Sequence, residues 1–393
     1  MEYLNDRLPT RKGNYTEYMF ALFLVIFSLA KPITQPSGYS GILLFIITLI
    51  CIYKEWSYVR KCGIASDNTS LFSITFVIGT LLICDLLLRS NENTLEYIYD
   101  FTLYGILPLF FLSFVHDYKA VLWFFSIITV INGCIYIADP IIWNYELSGG
   151  YMPFGFNQML PAFAGSMIMY FYFKKKFGLA FMVLFVATLF IFANKSAFLT
   201  AIILFIFGYV YIYKKGKVNK IALVFVIAFL SLGYYYFLDI VSIGANIAST
   251  LGFEDSYSLR TFQAILSGSE DMVFQARYDV WAEAERMIDT KPEFGWGVGW
   301  FEMFSQQPYP HNFILQIMVE YGWAGLIVFL FISLISLRNM AKFRNSEKTI
   351  FAITILILWI APLAVSVTYW RSMYFWVFFA LCFMKKQCVF YES

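Results

Sequence analysis

Apolar runs of helical length recur along the chain near residues 16–34, 37–53, 70–88, 94–115, 119–138, 157–173, 177–193, 196–213, 220–240, 311–337, 349–367 and 369–384. Runs of about 17 to 25 residues suit membrane-spanning helices, whereas an outer-membrane barrel would show alternating segments of about ten. The pattern predicts an all-α polytopic membrane protein of about twelve transmembrane helices. The first run follows "MEYLNDRLPTRKGNYTEYMF" without a small-residue cleavage site and reads as a retained span.

One long polar interval interrupts this pattern. It divides the chain into spans 1–9 over residues 1–240, a loop with a helical segment over 241–310, and spans 10–12 with a short tail over 311–393. A connection of that length between spans is usually functional. Charge orients the whole: with both termini cytoplasmic, twenty of the 28 basic residues fall in cytoplasmic loops, which puts 241–310 outside. The composition agrees, since 60% of residues are hydrophobic and only 14% charged, against roughly 45–50% apolar in soluble domains. The six cysteines show no metal-ligand spacing, so disulfides, a metal and other cofactors are not expected. No sequence feature suggests a nucleic-acid partner.

Candidate chemistry gathers at the outer end of the loop. In "VFQARYDVWAEAERMID" (273–289) helical period puts Phe274, Trp281, Ala284 and Ile288 on one face and Asp279, Glu283 and Arg286 on the other. Arg277 lies within the apolar face. It reads either as a snorkelling side chain packed on Trp281 or as a guanidinium fork for phosphate oxygens. "KPEFGWGVGWF" is expected to follow no strand and open no helix, which argues against a dinucleotide fingerprint; Gly295, Gly297 and Gly299 read as flexible backbone that turns the chain tightly among aromatic anchors, with Trp296 and Trp300 at headgroup level. In "PYPHNFILQIMVEYGWAG", Pro310 suits a first helical turn, placing His311 and Asn312 at its positive end. Asn312, Gln316 and Glu320 then form a polar stripe, with Glu320 read as a structural hydrogen-bonding group on the face opposite His311. Lys195, in the hairpin "NKS", reads as a turn residue or as a phosphate cation at the height of Arg277 and His311. Asp85 and Arg89 are expected to pair, and Arg371 and Lys31 to snorkel.

In order, "RYDVW…KPEFGWGVG…PHNFILQIMVEYGWAG" resembles the signature of the O-antigen polymerase and O-antigen ligase superfamily, and "GGYMPFGFNQMLPAFAG" (149–165) resembles its Gly-Phe-Asn segment. The family often has Ser-Arg where this chain has Asn194-Lys195-Ser196. The resemblance implies metal-independent glycosyl transfer at the periplasmic face of the bacterial inner membrane. Donor and acceptor would be undecaprenyl-diphosphate-linked glycans, with membrane lipids, a chain-length regulator and a flippase as further partners. Arg277 and Lys195 would hold the diphosphate and His311 would take the acceptor proton, with Asn312, Gln316, Glu320 and Trp281 in support. Polymerase is the first reading and ligase the second. A transporter of lipid-linked oligosaccharide or polysaccharide is the alternative from another class, and it would show related halves and midplane charges, which this chain lacks.

Overall fold

The computed structural model describes residues 15–29, 49–50, 53, 69–89, 91, 93–115, 117–192, 195–213, 242–243, 246, 250, 270–305, 307–365 and 367–384. Among these residues there are helices and no strands. They are α1 (Tyr15–Phe23), α2 (Thr69–Arg89), α3 (Asn93–Asp100), α4 (Leu107–Leu112), α5 (Tyr118–Tyr136), α6 (Leu160–Phe171), α7 (Phe177–Phe192), α8 (Lys195–Phe207), α9 (Glu270–Thr290), α10 (Trp300–Ser305), α11 (Phe313–Met340), α12 (Ser346–Val365) and α13 (Met373–Phe383), with shorter turns between them. The expected spans at 37–53 and 220–240 lie outside the described residues, apart from 49–50 and 53. Each of the other ten expected runs overlaps a described helix, the first being described only as far as residue 29.

Five described helices are long and apolar enough to cross a membrane: Asn93–Leu112, Tyr118–Ile142, Lys195–Ile212, Phe313–Met340 and Ser346–Ala364. The apolar residues of these spans and of the shorter apolar helix α2 divide into two populations. Phe111, Val121, Phe125, Phe351 and Leu358 are fully enclosed between helices, while Phe76, Leu88, Ile327, Phe331 and Leu334 are exposed on the bundle's flank. A soluble protein would not leave such a flank bare; lipid covers it. The chain is therefore an all-α polytopic membrane protein. Helix α5 is central, packing on α1, α6 and α12. Where it meets α6, Gly133 and Gly165 let the backbones approach: a Cβ on Gly165 would lie 2.1 Å from Thr129 Oγ1.

Prolines shape two of the spans. Pro108 and Pro161 stand in the first turns of α4 and α6, and each is preceded by a π-helical segment, Phe101–Ile106 and Phe154–Met159. A proline ring clashes with the carbonyl four residues back, and the wider turn accommodates it.

The loop between α9 and α10 does not lie on the surface but is spliced into α11. That helix breaks at Gly322, whose φ is 63° and ψ −159°. In a continuous helix the amides of Trp323 and Ala324 would donate to the carbonyls of Val319 and Glu320. Here Trp323 and Ala324 donate instead to Pro292 O (2.7 Å) and Glu293 O (3.1 Å). Trp296 and Gly297 donate to Val319 O (2.7 Å) and Glu320 O (2.9 Å). The amides of Trp323 and Ala324 and the carbonyls of Val319 and Glu320 thus each keep a partner, where leaving them bare in an apolar medium would cost several kcal/mol each.

The splice corrects several expectations. The glycines of "GWGVG" are fixed at φ 63°, 104° and 81°, and Gly299 does immediately precede a short helix, α10. Trp296 belongs to the packing of the loop itself: its Nε1 donates to Met287 O at 2.8 Å, its ring meets Phe304 with centroids 5.1 Å apart, and Lys291 Nζ lies 3.8 Å above it. Asp85 does not spend itself only on its own helix, because its Oδ2 accepts from Val298 N at 2.6 Å; the Arg89 side chain lies outside the described residues. Asn91 and Thr94 donate to Val298 O at 3.2 and 3.1 Å, so the loop is pinned to the α2–α3 corner as well.

Candidate functional site

Helix α9 has the predicted two faces. Ala284, Met287 and Ile288 are buried and pack with Val319 of α11 and Phe301 of α10, while Asp279 and Arg286 are exposed. This packing carries Arg277, half-buried, to the mouth where α11 begins.

The start of α11 differs from expectation. The helix begins at Phe313, and Asn312 is its N-cap, its Oδ1 accepting from Ile314 N (2.9 Å) and Leu315 N (3.4 Å). Pro310 therefore precedes the helix rather than occupying its first turn. His311, just outside the cap, holds a φ of 55°, a region where residues other than glycine are uncommon. Its ring stands edge-on to Tyr309 with centroids 4.7 Å apart. Burial, and then the charge of Arg277, hold its imidazole below the usual histidine range. Among the described residues neither ring nitrogen of His311 is committed to a hydrogen bond, so both can face a substrate.

The cations of this end divide into engaged and available groups. Arg286 Nη1 pairs with Glu283 Oε2 at 3.2 Å, and Lys291 sits on the Trp296 ring. Arg371, expected to snorkel, instead donates through Nε to Asp100 Oδ2 at 2.7 Å and through Nη2 to Glu96 Oε1. Arg277 makes no carboxylate pair among the described residues. Among the described residues, then, its fork is not taken up by a carboxylate, unlike those of Arg286 and Arg371.

Gln316 and Glu320 lie deeper. Gln316 Nε2 donates to Glu320 Oε1 (2.7 Å) and to Thr368 Oγ1 (2.8 Å). Tyr369 OH and Trp370 Nε1 (3.1 Å) both donate to Glu320 Oε2. The network ties the upper half of α11 to the turn before α13. Because three donors would be stranded, Glu320→Ala should destabilise the protein by about 1–3 kcal/mol for each group left unsatisfied. Thermal unfolding in detergent checks this, and a midpoint within a degree of wild type would contradict it.

Trp281, one turn after Arg277, is half-buried beside Tyr278, with a buried Nε1 that has no hydrogen-bond partner among the described residues. Lys195 opens α8, which packs mainly on α12 and α6, elements other than those carrying Arg277 and His311. In the 149–165 segment, Asn157 is exposed within a π-helical turn and Gln158 is buried. No group of histidine, cysteine and carboxylate side chains able to hold a metal occurs among the described residues.

Sequence reasoning missed Tyr309, the Arg371 ion pairs and the splice. The paired glycines on either side of His311 were the available signal for the last, but their contact is not local in sequence.

Beneath the mouth a lateral apolar cavity of about 700 Å³ runs between α2, α11 and α13, from Thr75 to Leu88 on one side and Ile317 to Ile335 on the other. Phe294 and Tyr321 line its upper part, next to the splice.

Residues 179–330 match the family model described as O-antigen ligase. That stretch takes in most of α7, then α8, α9, the splice, His311 and Glu320, and it supports the O-antigen polymerase and ligase superfamily. Comparison with curated proteins finds no match.

Proposed function

We propose, with that family match as premise, that this chain transfers a polyprenyl-diphosphate-linked glycan onto the terminal sugar of a lipid-linked repeat at the periplasmic face of the inner membrane. The reading is supported by His311, whose imidazole burial and then Arg277 hold below the usual histidine range, lying within the electrostatic reach of an arginine that makes no carboxylate pair among the described residues. Arg277 binds the donor diphosphate through its fork and offsets the charge that grows on the leaving group as the anomeric bond breaks. His311 accepts the proton of the attacking hydroxyl. Lys195 adds positive charge to the donor phosphates, and Asn312 fixes the start of α11. Gln316 and Glu320 hold the depth of that helix, and Trp281 supports Arg277. The apolar cavity below accommodates part of a polyprenyl chain, which would leave the diphosphate at the mouth. This chemistry calls on no metal.

A second reading, transfer of finished glycan to a lipid A core or protein acceptor, is favoured by the description of the matched family as a ligase. Purified protein in vesicles, given only lipid-linked repeats, separates the two. A ladder of lipid-linked polymer is the expected result. Product formed only when a core acceptor is added would replace the polymerase reading with the ligase one. Movement of substrate across the bilayer without any transfer would overturn both.

A further inference from the structure

Arg277 and His311 are carried by different elements, and both elements lead to one joint. Lys291 directly follows α9, and its amide still donates to Met287 O at 3.2 Å. The chain then enters the splice at Pro292. His311 stands just ahead of the half of α11 that ends at Gly322. The joint is secured by the four backbone bonds, by Trp296 Nε1 on Met287 O, and by the contact of Ala284, Met287 and Ile288 with Val319.

Two glycines make the crossing possible. A Cβ on Gly295 would lie 2.6 Å from Glu320 C, Tyr321 N and Val319 O. One on Gly322 would lie 2.5 Å from Glu293 C and O and from Pro292 O. Each glycine therefore presses on the backbone that carries the other, and both have positive φ. Backbone cannot rotate aside as a side chain can, so either substitution must open the joint.

We propose that this splice is a positioning element that fixes Arg277 against His311, with Gly295 and Gly322 as its positioning residues. The proposal rests on the reading of that pair as the transfer site. Its leverage follows from length. Arg277 lies about 21 Å along α9 from Lys291 at 1.5 Å per residue. A rotation of about 5° at the joint would then displace it by roughly 2 Å, when a misplacement of about 1 Å can cost a hundredfold in rate. Ordinary loops tolerate such rotations; a loop with its amides and carbonyls built into a helix does not.

The chain has two histidines, His116 and His311. With His116→Gln as background, NMR titration of the purified protein follows His311 alone, and among the described residues the groups that act on its ring are Arg277 and the edge-on Tyr309. In Gly322→Ala the His311 titration should move up toward that of Arg277→Ala, and transfer should fall about a hundredfold. Gly79→Ala, where an added Cβ meets nothing within 4 Å, should leave both as they are. A folded Gly322→Ala protein with wild-type His311 titration would overturn the proposal.

Should that variant not fold, Pro292→Cys with Trp323→Cys, in a chain whose other cysteines are replaced by serine, closes the splice in its observed form. The oxidised protein should keep the wild-type titration and turnover; loss of either on cross-linking, restored by reduction, would show that the joint must open and would equally overturn the proposal. A wild-type protein that shows the expected titrations but transfers no glycan would sink the functional reading while leaving the joint in place.

Discussion

His311→Ala is expected to abolish polymer formation while leaving protein level and donor binding close to wild type. A positioned general base contributes about a hundred- to ten-thousand-fold in rate, roughly 3 to 5 kcal/mol. The side chain has little structural work to lose, since Asn312, not His311, caps α11. The pH dependence follows from the sign of the shift. Burial and Arg277 disfavour the protonated ring, so the neutral, proton-accepting form persists to lower pH than in a free histidine. The rate should therefore fall only as pH drops through that lowered value, and Arg277→Ala should move this acid limb upward in whatever activity remains. His311→Gln should not restore turnover, because an amide can orient a hydroxyl but cannot take its proton. A purified His311→Ala protein that elongates lipid-linked repeats at near wild-type rate would leave the residue no catalytic part.

The second large effect is at Arg277. Both Arg277→Ala and Arg277→Lys should cost about a hundred- to a thousandfold in transfer, comparable to removing one donor from a preorganised anion site. Lysine keeps the charge but offers no planar fork. Arg286→Ala is the control: that side chain is exposed and paired with Glu283 on the opposite face of α9, and its loss should change the rate little. Equal losses at 277 and 286 would remove the reason for distinguishing them.

Helix positions were legible because lipid imposes a strong local rule: about twenty apolar residues in a row have few other uses. The faces of α9 were legible for the same kind of reason, since Ala284 and Ile288 share a side at helical period and are buried together. What could not be read locally was where backbone groups go when a helix is broken. "GWGVG" reads as glycine turns and "VEYGWAG" as part of an unbroken span, and only their juxtaposition shows that each supplies what the other lacks. Arg371 illustrates the same limit. Beside Trp370 at a helix end it looked like a snorkelling cation, and the partners that engage it, Glu96 and Asp100, lie some 270 positions earlier in the chain. The cap at Asn312 was a matter of one or two residues: Pro310 marked the approach to the helix, and the side chain able to accept from two free amides marked its start.

The splice also bears on how the protein is made. Val319, Glu320, Trp323 and Ala324 find their partners in residues 292–297, which leave the ribosome before α11 does. When that span enters the bilayer, the segment that completes it already exists and, in the orientation proposed here, already lies across the membrane. Insertion of α11 and docking of the loop are then one event rather than two. The reverse chain order would bring a broken helix into lipid with its carbonyls and amides still open. Severed from residues 292–297, α11 has only one way to satisfy those groups without help: to straighten through Gly322 into an unbroken helix.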